Sequence, residues 1–180
     1  MKDKKAILEQ KAVLVDIDGT AAIMWNNRGP FDYDMVGYDS MNYLVWVTIK
    51  GLEEQGYRIV FCSGRENVTF PGRSKDKVFR RAYMPAPYDT TIEFPNCYEL
   101  THEWLHQNVK LLGMNAYYNP VLYMRAEGDH RPDWIVKKEL FLNEISKKYN
   151  IELVIDDRQQ VVDMWRSLGL TCFQVAEGNF

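Results

Sequence analysis

The sequence predicts an α/β domain, a mostly parallel sheet flanked by helices, on three observations. Short continuous apolar runs recur along the 180 residues, each of a length suited to a buried strand. Amphipathic stretches of helical spacing separate these runs, which is the alternation that builds parallel crossovers. Several runs end in carboxylate, hydroxyl or guanidinium side chains, and ligands collect at the carboxyl ends of such strands.

The elements follow in order. AVLVD (12–16) is a buried strand that ends in a carboxylate. Residues 39–55 carry helical spacing through Met41, Leu44, Val45, Val47, Ile49 and Leu52, and Gly56 marks the stop. RIVFCS (58–63) is the second strand, and 99–112 the second helix, closed by Gly113. PVLYM (120–124) is the third strand, followed by a helix from Pro132 to Tyr149, with proline suited to a first turn. IELVID (151–156) is the fourth strand, Asp157 to Leu168 the fourth helix before Gly169, and LTCFQVA (170–176) the last strand.

Residues 66–98 break this rhythm. They hold Pro71, Pro85, Pro87 and Pro95 among aromatics with no clean period, so the expectation is one domain over 1–180 with 66–98 as an insertion or cap-like segment. Within it, GRSKDKVFRR (72–81) reads either as a strip for a nucleic-acid strand, with Tyr83 or Tyr88 offering stacking surface, or as a solvated polar face.

Composition narrows the classes. Hydrophobic residues at 46% and charged residues at 26% fit a folded globular chain and argue against disorder. The net charge of −3 is not that of a generic duplex-coating protein. The N-terminus lacks the apolar run of a signal peptide, and no stretch approaches a membrane span, so a cytoplasmic protein with no membrane partner is expected. Cys62, Cys97 and Cys172 are odd in number and show no CxxC spacing, as for buried thiols in a reducing compartment. His102, His106 and His130 form no zinc set with them, although the first two share a helix face.

The chemistry lies at strand ends. The first strand runs into Asp16 and Asp18, the second into Ser63-Gly64-Arg65, and the fourth into Asp156-Asp157. DIDGT alone reads equally well as a strand followed by an Asp/Gly turn. Three separate segments delivering polar groups to one sheet edge, beside the helical Lys137, do not follow from hydrophobic burial.

DIDGT (16–20), CSGR (62–65), Lys137 and IDDR (155–158) resemble the four ordered motifs of the haloacid dehalogenase (HAD) superfamily of aspartyl phosphatases. RGPFD (28–32), SGRE (63–66), Asp133 with Lys137 in DWIVKKELF, and the block from Ile155 to Phe180 are similar to the 3′-phosphatase domain of bacteriophage polynucleotide kinase–phosphatase. The likeness covers about residues 10–65 and 99–180, and the 66–98 segment is where the chain departs from it. The resemblance implies a HAD-like Rossmannoid fold and a Mg2+-dependent phosphatase. Asp16 would be the nucleophile that becomes an aspartyl-phosphate, and Asp18 the general acid and base, with its backbone carbonyl also on the metal.

Asp156 and Asp157 complete the implied metal set, with Asp157 holding metal-bound water or orienting Lys137. Lys137 would neutralise charge beside Asp16, Ser63 and Gly64 would bind the phosphate, and Arg28, Arg65 and Asp133 would serve the substrate. These roles require Asp16 to be ionised and Asp18 to have a raised pKa. The implied substrates are 3′-phosphate ends of DNA or RNA, as in end repair, in host cytoplasm if the protein is a phage's. Mononucleotides or small metabolites are the alternative within enzymes, and a catalytically silent HAD-like binding domain the alternative outside them. No GxxxxGK[ST] loop occurs, so the kinase half of the bifunctional phage enzyme is not found in this sequence.

Overall fold

The computed structural model describes residues 10–70, 94–114 and 119–178. Five strands form one parallel sheet: β1 (Lys11–Val15), β4 (Arg58–Glu66), β5 (Val121–Arg125), β6 (Asn150–Arg158) and β7 (Cys172–Gly178). Their order is β5-β4-β1-β6-β7, and a two-stranded antiparallel pair, β2 (Ala22–Ile23) with β3 (Ser40–Met41), stands apart. The helices are α1 (Tyr43–Glu54), α2 (Cys97–Leu111), α3 (Asp133–Asn143) and α4 (Gln159–Ser167). No helix among the described residues is long and apolar enough to cross a membrane.

Strand β1 is central, and its alternating side chains build two cores. Val13 and Val15 face the layer of α1 and α2, packing with Trp46, Ile49, Phe61, Trp104 and Leu105. Ala12 and Leu14 face α3 and α4, packing with Phe141, Val161 and Trp165. Buried indoles need acceptors for their N–H groups. Trp46 donates to the Ala21 carbonyl at 2.9 Å, Trp104 to the Asp39 carbonyl at 2.8 Å, and Trp165 to the Asp156 carboxylate at 3.2 Å. The chain leaves β1 for β4 and β5 on one side and returns to β6 and β7 on the other. The reversal next to β1 is the switch point at which such sheets open a crevice.

The expected elements are present with shifted boundaries, each for a local reason. The first helix begins at Tyr43, not at residue 39, because Ser40 and Met41 pair with Ile23 and Ala22. The second strand runs three residues further, through Glu66, and so includes Ser63-Gly64-Arg65. The second helix begins at Cys97, capped by the Asn96 side chain, which accepts the Glu99 N–H at 2.9 Å. The expected helix to Tyr149 stops at Asn143, where Glu144 leaves helical geometry and a 3-10 turn (Ile145–Lys147) carries Ile145 into the core with Phe141 and Trp165. The fourth helix starts at Gln159, since Asp157 and Arg158 remain in β6.

Residues 71–93 of the 66–98 segment, with the basic run at 72–81 and both Tyr83 and Tyr88, lie outside the described residues. The flanks of that stretch meet: Thr69 and Asn96 form an antiparallel bridge, and Phe70 donates its N–H to the Pro95 carbonyl at 2.9 Å. Cys62, Cys97 and Cys172 are buried free thiols. His102 lies 3.1 Å from the Pro120 carbonyl and His106 beside Glu103; among the described residues neither joins an acidic or thiol cluster that could hold a metal.

Candidate active site

The carboxyl ends of β1, β4, β5 and β6 open into a cleft of about 820 Å3. The β1 ladder extends one residue beyond the strand through the Asp16 N–H, which donates to the Ile155 carbonyl at 2.9 Å, so the Asp16 carboxylate stands directly above the sheet edge. Lys137, in the second turn of α3, reaches it: Nζ lies 2.6 Å from Asp16 Oδ1, 3.1 Å from Asp156 Oδ2 and 3.3 Å from Asp133 Oδ2. Asp133 and Lys137 are one helical turn apart, as their i, i+4 spacing requires. Asp16, Asp156 and Asp157 are all buried, and one carboxylate oxygen from each lies within 4.8 Å of the others.

Electrostatics follow from burial. Burial alone would favour the neutral amine of Lys137, but Asp133, Asp156 and Asp16 outweigh it and hold the ammonium well above its usual pKa. Burial pushes the Asp16 carboxyl well up, and Asp156 and Asp157 add to the rise against the pull of Lys137, so the ionised form expected of Asp16 calls for a metal ion as well as the lysine. Asp157 is raised by burial and by Asp156. This acidic cluster carries more negative charge than one lysine cancels, which is a donor set suited to a hard cation.

Asp18 departs from the expected raised pKa. Burial would lift it, yet Arg65 and then Arg28 overcome that effect and bring the carboxyl below its ordinary value. Arg65 donates from Nε to Asp18 Oδ2 at 2.7 Å and from Nη2 to Asp18 Oδ1 at 2.8 Å. Arg28 donates from Nη2 to Asp18 Oδ1 at 3.1 Å. Both guanidiniums are buried, and both also bond Asp39, a buried carboxylate absent from the sequence-derived set: Arg28 forks onto it at 2.6 Å twice, and Arg65 joins at 2.8 Å. Arg28 and Arg65, expected to fork onto phosphate oxygens, both bond the Asp18 and Asp39 carboxylates.

Asp157 does not orient Lys137; Asp16, Asp156 and Asp133 do, while Asp157 accepts the Thr20 hydroxyl at 3.3 Å. Gly64 permits close approach of α3, because a Cβ there would overlap the Asp133 carboxylate. Gly19 meets the same constraint against Asp157, with φ of 82°. Ser63 is buried at the strand end, its hydroxyl accepting the Arg65 N–H at 3.1 Å.

The sequence reading also missed Arg125. Its Nε donates to the Gly64 carbonyl at 2.7 Å, Nη1 to the Asp129 carbonyl at 3.0 Å and to the Arg131 carbonyl, and Nη2 reaches Asp133 at 3.3 Å. It thereby ties the end of β4 to the start of α3, the two elements that place Ser63 and Lys137. Its position at the end of the third strand was the available signal.

The family model for the polynucleotide kinase PNKP phosphatase domain matches residues 10–93 and 88–180. A protein of Autographa californica nuclear polyhedrosis virus, named as a bifunctional polynucleotide kinase/RNA ligase, is 32% identical over 168 residues, which are 92% of this chain and 19% of that protein. Two solved chains share the fold, one from the Pnkp1/Rnl/Hen1 RNA repair complex with a TM-score of 0.69 and 35% identity, the other from a Pnkp1/Rnl/Hen1 complex with 0.67 and 36%. They cover 95% and 94% of this chain, which spans only 44% and 47% of theirs. With the family model covering nearly all of its length and the motif residues converging on one cleft, the chain belongs to the polynucleotide kinase PNKP phosphatase-domain family.

Proposed function

We propose that the chain is a magnesium-dependent polynucleotide 3′-phosphatase that acts on DNA or RNA ends in nucleic-acid repair. The observation that carries this reading is the buried Asp16 carboxylate at the end of β1, 2.6 Å from Lys137, in a member of this family. The repair assembly named for the structural neighbours supports the substrate class.

Asp16, Asp156 and Asp157, with the Asp18 backbone carbonyl, would hold Mg2+; their all-oxygen donors suit that ion, which when bound neutralises phosphoryl charge and favours the Asp16 carboxylate. Lys137 adds fixed positive charge at the same place and keeps Asp16 oriented. An Asp16 oxygen attacks phosphorus in line; the bond from phosphorus to the ribose 3′-oxygen breaks, and Asp18 gives that oxygen a proton. Asp18, now ionised, takes a proton from water as the water attacks the aspartyl-phosphate, which restores Asp16 and releases inorganic phosphate. The arginine fork on Asp18 fixes its orientation for both transfers.

Phosphate release from a 3′-phosphorylated oligonucleotide is compared with release from free 3′-nucleotides, with and without magnesium. Preference for the oligonucleotide, lost without the metal, is expected. Equal or better turnover of free nucleotides would assign the protein to small-molecule phosphatases instead.

A further inference from the structure

The floor of the cleft is charged, but part of its wall is not. Phe31 is 77% exposed, Ile23 54% and Met24 46%, and all three line the same cleft as Asp16 and Lys137. Single exposed apolar side chains are ordinary; three grouped in the cleft that holds the reactive carboxylate are a binding surface. Phe31 is also held in place. The Asp32 N–H donates to the Gly29 carbonyl at 3.2 Å, and the Asp32 carboxylate accepts the Gly29 N–H at 2.8 Å, closing a turn with Pro30 and Phe31 at its tip. Arg28 roots that turn, with Nη1 donating to the Gly29 carbonyl at 3.1 Å while Nη2 grips Asp18. Tyr33 and Phe31 form an edge-to-face pair with ring centroids 6.4 Å apart, and most of the Phe31 side chain stays open to the cleft.

We infer that Phe31 is the stacking platform for the nucleobase of the 3′-terminal nucleotide, with Ile23 and Met24 completing an apolar wall beside it. The inference rests on the polynucleotide-phosphatase reading and deepens it. A terminal 3′-nucleotide is a dianionic phosphoryl group joined through a sugar to a flat, weakly polar ring, and the cleft offers the matching pair of surfaces. Stacking on an aromatic side chain is tolerant of base identity, so the site would grip any terminal base without reading sequence. Because one short turn joins the platform to Arg28, a seated base would be registered against Asp18, the proton donor to its own 3′-oxygen.

The test uses the full chain and two 3′-phosphorylated oligonucleotides that differ only at the terminal residue, thymidine in one and an abasic tetrahydrofuran in the other. Wild type should show a KM about tenfold lower for the thymidine end, the scale of one base–aromatic stack. Phe31→Ala should lose that difference by raising KM for the thymidine end alone, Phe31→Trp should keep it, and kcat should change little in either. Equal KM values in wild type, or a Phe31→Ala loss of the same size on both substrates, would overturn the platform while leaving the phosphatase reading intact. Failure of wild type to release phosphate from either oligonucleotide would overturn both.

Discussion

Arg65 forks onto Asp18, with Nε to Oδ2 at 2.7 Å and Nη2 to Oδ1 at 2.8 Å. The fork holds the carboxylate in one rotamer and favours its ionised form, whereas protonating a leaving 3′-oxygen requires the acid form.

A pH dependence with a definite sign follows. Since the Asp18 pKa is lowered, the protonated fraction falls as pH rises, and kcat/KM for an alkyl phosphate should decline from the acidic side through neutral pH. Arg65→Gln removes one cation, raises the Asp18 pKa and should move the alkaline limb to higher pH while lowering the maximal rate about a hundredfold through lost orientation. p-Nitrophenyl phosphate, whose leaving group needs no proton, should show little of this limb. An alkaline limb unmoved in Arg65→Gln would remove Asp18 as the titrating acid.

Asp39 is the second prediction. It accepts from Arg28, from Arg65 and from the Trp25 N–H at 2.9 Å, and its side chain is fully buried. Asp39→Ala leaves two buried guanidiniums short of a partner and should cost about 3–5 kcal/mol of stability in denaturant unfolding. A loss under about 1 kcal/mol would mean that Asp18 alone satisfies both arginines.

What the sequence disclosed and withheld has the same physical origin. Asp16, Ser63 and Asp156 were legible because an apolar strand that stops on a polar residue must present it at the sheet edge. Asp39 was hidden because it lies just before Met41, whose packing against the core mimics a helical period although the chain there is extended and paired with β2. Arg125 binds mostly backbone carbonyls, which leave no side-chain signature in another segment. The break at Glu144 was invisible because Ile145 continues the apolar period on which the helix ends.

The acidic cluster predicts a measurable metal linkage. Burial and the neighbouring carboxylates of Asp156, Asp157 and Asp133 raise Asp16, and a bound divalent cation would relieve both effects. Added Mg2+ should therefore raise the melting temperature of the wild type, more weakly that of Asp156→Asn, and a chelator should stop phosphate release. An identical magnesium response in Asp156→Asn would place the ion elsewhere.

The most direct measurement is to quench the reaction with acid during turnover of a 3′-phosphorylated oligonucleotide and locate the covalent phosphoryl group by mass spectrometry. It should sit on the peptide containing Asp16, and Asp16→Asn, still folded, should show neither the adduct nor magnesium-dependent phosphate release. A phosphoryl group on another residue, or undiminished release by Asp16→Asn, would contradict Asp16 as the nucleophile.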